Sequence, residues 1–157
     1  MWEPILPVVI GGLIALLGGA LTPVITHILT RRSEQRTLRE ARLEALLEAL
    51  YAHRQWLDRK KRIVVFGEEG ELVTAPIHKA RLLADLHFPT LKSAIVVLDI
   101  SSDSYQAWMD QAALKRVQGA VGSINEGHVD AYMPYARAYL DAQTAVSDFI
   151  EHHRTSQ

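Results

Sequence analysis

Cysteine is absent from the 157-residue sequence. That excludes a disulfide framework, a thiolate zinc site and a thiol nucleophile. It leaves the redox compartment open, because a chain without cysteine folds in either one. The phosphate cradles GxxxxGK[ST] and GxGxxG are missing. So are the nucleophile elbow GxSxG, the zinc helix HExxH and the Glu-x-x-His pair of di-iron bundles. The seven histidines are scattered. His152 and His153 are adjacent, and neighbouring helical residues diverge by about 100°, which suits chelation poorly. His78 and His87 share no clear helical face. His87, beside Phe88 and Pro89, reads as a half-buried structural residue. No nucleophile, base and orienting group stand together, so no enzymatic activity, no catalytic residue, no cofactor and no metal are expected.

Charge is missing from one long stretch. Residues 5–29 hold no Asp, Glu, Lys or Arg, and about 20 apolar residues suffice to cross about 30 Å of hydrocarbon. A helix apolar on every face for that length is rarely a soluble core helix. Trp2 stands at one end, where an indole favours the interface, and Arg31 and Arg32 close the other. A cleaved secretory signal is one competing reading, since Gly18, Gly19 and Ala20 are small enough for a peptidase. Against it stand Glu3, the lack of a basic n-region and the length of the run. A buried hairpin broken at Pro23 is the other, and the uniform apolarity opposes it. The expectation is a transmembrane anchor over residues 1–30 and a second domain over 31–157. Arg31, Arg32, Arg36 and Arg39 crowd the C-terminal flank, so the positive-inside rule puts the second domain in the cytoplasm and the N-terminus outside. The same arginines suit anionic lipid headgroups, at about 1 kcal/mol each.

Within the apolar run, Gly11, Ala15, Gly18, Thr22 and Thr26 step by three or four along one helical side. Gly11, Ala15 and Gly19 also fit a small-xxx-small pattern. Small residues let two helices approach closely, and threonine hydroxyls bond across the contact, so this face is a candidate for self-association. Pro23 is expected to kink the helix.

Residues 31–62 carry ten Lys/Arg against five acids, and the rest of the chain after Arg62 carries seven against twelve. The overall net charge of −1 gives no strong attraction to nucleic acid. Arg59, Lys60, Lys61 and Arg62 form a basic run with no base-reading motif beside it. It reads as a solvated helix end, where cations meet the negative pole of the dipole.

The distal part is predicted all-α, an antiparallel bundle of about four amphipathic helices. The first begins near residues 30–33, either anew or as a continuation of the span, and carries a stripe of Leu43, Leu46, Leu47, Leu50, Tyr51 and Leu57. Arg36 and Glu40 form an i,i+4 pair of the weaker polarity. Residues 63–66 are expected to end that helix, either fraying into a loop at Gly67 and Gly70 or pairing as a short hairpin with residues 72–74. A second helix is predicted over 76–87, with Ile77, Leu82, Leu83 and Leu86 apolar. Pro89 opens a new turn, and Ser101, Ser102 and Asp103 read as the N-cap of a third helix. Gly119, Gly122 and Gly127 mark a connection. A fourth helix over 129–152 has Val129, Met133, Ala136, Leu140, Val146, Phe149 and Ile150 as its apolar side, with Pro134 kinking or starting it. Tyr132, Tyr135 and Tyr139 follow helical spacing and read as packing. The joint Leu86-His87-Phe88-Pro89-Thr90-Leu91 resembles a helix-Phe-Pro-x-Leu connection of small anchored bacterial proteins, and six residues of joint imply no function.

These features lead to two expectations. One is a membrane-anchored helical interaction protein that self-associates and binds a cytosolic or membrane protein. The other is an oligomeric membrane effector, pore-forming or depolarising, with the bundle as sensor.

Overall fold

The computed structural model describes the backbone of residues 5–155 and the side chains of residues 30, 31 and 33–153. The described residues form four α-helices: α1 (Ile5–Phe66), α2 (Ile77–His87), α3 (Lys92–Val117) and α4 (His128–Thr155). Short 3-10 turns sit at Pro89–Leu91 and Val121–Ser123, and no strand occurs among the described residues. By internal contacts the chain divides into two units, Met1–Ala41 and Arg42–Gln157.

The described residues of the first unit belong to α1. The unit's described side chains are exposed, Arg31, Arg36 and Arg39 among them, and the Arg36 guanidinium meets Glu40 at 3.2 Å. Among the described residues no helix is long and apolar enough to cross a membrane. The anchor expected over residues 5–29 has its side chains outside the described residues. Gly11, Ala15, Gly18, Gly19, Thr22, Thr26 and Arg32 are among these.

The second unit is an up-down-up-down bundle, and its cross-helix contacts give the directions. Along α1, His53 meets Ser102 and Lys60 meets Gln106, so α1 and α3 run the same way. Arg54 lies over Tyr139 and Lys61 meets His128, so α4 runs opposite to α1. The pairs Glu48–Lys79 and Arg81–Asp99 place α2 beside both α1 and α3.

Local chemistry sets the ends of the helices. As expected, residues 63–66 end α1, which runs to Phe66 and gives way to a loop at Gly67, and the alternative hairpin with residues 72–74 does not form. Helical geometry buries Val65 completely, and that gain outweighs the β-propensity of the Ile-Val-Val run. Gly67 then adopts φ 76° and donates its N–H to Ile63 O at 3.0 Å, a left-handed cap. The Arg116 side chain packs where a Cβ on Gly67 would stand. Trp56 Nε1 donates to Val73 O at 2.7 Å and pins the following loop. α2 ends at His87, with Phe88 as its C-cap ahead of Pro89, as expected. Phe88 is fully buried and meets Phe149 edge-on, with centroids 5.5 Å apart.

The N-cap expected at residues 101–103 is corrected, because α3 passes straight through them. Ser102 Oγ donates to Leu98 O at 2.7 Å and Ser104 Oγ to Ile100 O at 3.2 Å. Such bonds to the preceding turn satisfy the hydroxyls inside a helix, so serines here do not start one.

Two expected faces are corrected in part: Ile77, Leu83, Val146, Phe149 and Ile150 pack on the core as expected, and other members do not. In α2 the residues turned to the core are Ile77, Ala80 and Ala84, while Leu82 and Leu86 are exposed. In α4 the core takes Tyr135, Ala138, Tyr139, Ala142 and Val146, and the expected stripe members Val129, Met133 and Leu140 face outward. The alanines admit the neighbouring helix closely, and the tyrosine rings fill the remaining space, as close packing requires. Replacing Phe88 with Ala empties the most enclosed aromatic site. We expect a loss of about 3–5 kcal/mol in urea unfolding followed by circular dichroism.

Candidate functional site

The bundle interior holds three buried polar side chains, His53, Asp99 and Ser102. His53 and Ser102 are both 0 % exposed, and His53 Nε2 lies 2.9 Å from Ser102 Oγ. A serine beside a histidine invites a nucleophile–base reading, and proton accounting removes it. The hydroxyl has one proton, and Ser102 gives it to Leu98 O. Its oxygen therefore accepts the Nε2–H of His53, and the ring has no free Nε2 lone pair with which to activate the serine. Nδ1 is then bare, and it is buried with no partner among the described residues. Burial lowers the His53 pKa to about 4, with His78 adding to the fall and Asp99 opposing it. Trp56 stacks on the ring at 6.0 Å. Asp99 is answered by Arg81 at 2.8 Å. The pair and its neighbours crosslink α1, α2 and α3.

A second cluster gathers at the end of the bundle where α3 turns into α4. His128 Nε2 accepts a long bond from Lys61 Nζ at 3.3 Å and lies 3.4 Å from Tyr105 OH. The His128 ring stacks on Tyr132 at 5.5 Å and meets Trp108 edge-on at 4.7 Å. Desolvation and then the Lys61 charge lower the His128 pKa. Burial raises Tyr105 to about 12, with Asp58 and Tyr132 adding to the shift. Trp108 Nε1 donates to Glu126 O at 2.9 Å, and Lys115 Nζ reaches both Ser123 O and Glu126. These contacts tie down the connection between α3 and α4. They also absorb half of the basic run: Lys60 donates to Gln106 at 2.8 Å and Lys61 turns to His128.

The third feature is a surface groove of about 830 Å³ between α3 and α4. Val97 and Ser101 line it from α3, and Met133, Pro134, Ala136, Leu140 and their neighbours line it from α4. Val97 is 53 % exposed, Met133 58 % and Leu140 61 %. Arg137 and Asp141 complete the lining, both exposed. The outward stripe of α4 and the adjoining face of α3 thus form one apolar surface bordered by one cation and one anion.

The expected packing role of the tyrosines agrees with the structure: Tyr135 and Tyr139 are buried and Tyr132 is half-buried. His87 is half-buried against Phe88. His153 donates from Nδ1 to Phe149 O at 2.8 Å. Among the described residues no three His, Cys, Asp or Glu gather as metal ligands. The His53–Ser102 bond and the groove were not legible in the sequence. The first joins residues 49 apart, and the second needs the packing to say which apolar stripe stays outside.

Ser102→Ala leaves the His53 Nε2–H without an acceptor. It should cost about 1–3 kcal/mol, and the double variant with His53→Leu should cost less than the two single effects summed, by urea denaturation. Because the folded pKa of His53 lies below the unfolded 6.5, the unfolded chain takes up the proton first. This contribution is present in full above pH 6.5 and is lost as pH falls toward about 4. Over that interval the native protein should lose stability faster than His53→Leu, by at most about 1.4 kcal/mol per pH unit.

Comparison of the chain with protein-family models, with curated proteins and with solved structures finds no match.

Proposed function

We propose that this chain is a single-pass membrane-anchored interaction protein whose helical bundle is held at the cytoplasmic surface. One observation carries the reading: residues 5–29 contain no Asp, Glu, Lys or Arg, and Arg31, Arg32, Arg36 and Arg39 follow at once. A helix spanning lipid satisfies its own backbone, and α1 runs unbroken from Ile5 through the arginines. Arginines at that flank hold it on the cytoplasmic side and sit by anionic headgroups. Among the described residues the polar clusters serve packing, which supports a binding role for the bundle. The Gly11, Ala15, Gly18, Thr22 and Thr26 side of the span supports association between copies.

Alkaline carbonate extraction tests the anchor. The intact protein should stay with the membrane pellet, and Leu16→Arg with Leu17→Arg should move it to the supernatant, since an arginine at mid-bilayer costs about 2.5–3.5 kcal/mol. The lack of native cysteine makes topology direct to read. A cysteine introduced at Ser33 should react with an impermeant maleimide only after the cells are opened. Labelling of that site in intact cells reverses the orientation, and a wild-type protein found in the supernatant removes the anchor.

A further inference from the structure

The groove between α3 and α4 has no occupant from the bundle itself, although α4 is apolar on two sides. Its inner side is filled by Tyr135, Ala138, Tyr139 and Ala142. Its outer side, Val129, Met133, Ala136 and Leu140, steps by four, three and four, which keeps it on one helical face. On α3, Val97 and Ile100 are exposed one turn apart. Apolar side chains placed singly on a surface need no explanation, but a contiguous lined groove marks a contact site.

The charges at the groove select the occupant. Arg137 and Asp141 both line it, stand one turn apart on α4 and make no ion pair among the described residues. A ligand of one charge sign, such as a fatty acid or a phosphorylated headgroup, meets attraction from one and repulsion from the other. A second copy of this chain presents both signs. In a two-fold interface the same patch serves each side, so Arg137 of one copy faces Asp141 of the other, twice. Net charge does not oppose the approach: residues 42–157 hold 13 Lys/Arg and 15 Asp/Glu. We propose that two copies of this chain associate through this groove, Met133 and Leu140 filling its apolar centre and the two Arg137–Asp141 contacts setting its register. The proposal deepens the self-association named above and places it in the bundle. Tethering to one membrane raises the local concentration of copies and so favours the contact.

Charge reversal in trans tests it. Full-length protein is labelled with donor and acceptor dyes in detergent micelles, and association is followed by energy transfer upon dilution. Arg137→Asp opposes two carboxylates across each symmetric contact, and Asp141→Arg opposes two cations. Each variant alone should raise the self-dissociation constant about tenfold or more. An equimolar mixture of the two should recover wild-type association, because both cross-contacts are then attractive, and Leu140→Glu should weaken association at least as much in every pairing. Recovery in the mixture but in neither single variant establishes the two-fold contact. Unchanged association in all charge and apolar variants overturns the proposal and leaves the span as the site of self-association. Weakening in the single variants without recovery in the mixture also overturns it, and points to a different partner surface. Carbonate extraction reads the anchor independently, so failure of either reading is distinguishable from failure of the other.

Discussion

Close approach of helices through alanine is the constraint on which the bundle depends. Ala80 and Ala84 on α2 and Ala138 and Ala142 on α4 are almost fully buried. A helix that turns its smallest residues inward brings its axis near its neighbour, and the gaps are filled by rings such as Tyr105, Tyr135 and Phe88. The consequence appears on the other side of each helix. Leu82 and Leu86 of α2, and Met133 and Leu140 of α4, are turned to solvent. Larger aliphatic side chains usually claim the core. Leu46, Leu50, Leu57, Ile95 and Leu98 do so on α1 and α3, whereas the middle of α4 turns alanine and tyrosine inward, and its aliphatic stripe becomes the wall of a groove.

The buried polar contacts follow from the same economy of space. His53 sits among Trp56 and Tyr135 with one acceptor, Ser102, which is committed to its own helix. A buried donor with one specific acceptor fixes the relative register of α1 and α3 more sharply than apolar packing does, because a slip of one residue strands it. Asp99 and Arg81 act similarly between α2 and α3, with the carboxylate buried and the guanidinium half in solvent. At the opposite end, Lys61 and Tyr105 converge on one ring nitrogen of His128. None of these sets arranges a base, a nucleophile and open space together. Their energetic role is to specify one packing among several that an all-apolar interior would allow.

The functional reading joins two parts of the chain that differ in kind. Residues 5–29 argue by what they exclude, since a stretch without formal charge is at home in lipid and costly in water. The bundle argues by what it leaves uncovered. Its surface near Arg137 and Asp141 is balanced in sign, which suits a symmetric contact better than a headgroup or a nucleic acid. Tethered copies would meet in two dimensions, where a modest interface suffices.

From the sequence alone come the helical class, the number of helices, the joint at Phe88 and Pro89, the glycine-marked connection before α4 and the packing role of Tyr135 and Tyr139. These depend on periodicity and on the backbone chemistry of proline and glycine, which act within a few residues. The choice of helix over hairpin for residues 63–66, the passage of α3 through Ser101, Ser102 and Asp103, and the outward turn of Met133 and Leu140 were decided by tertiary structure. β-Branched residues become helical when a core site takes Val65, and serines stay inside a helix when their hydroxyls bond to the preceding turn. A helix with two apolar sides buries whichever one its neighbours fit. Periodicity reports that a face is apolar, but which of two apolar faces meets the core depends on the shapes of side chains far away in the chain.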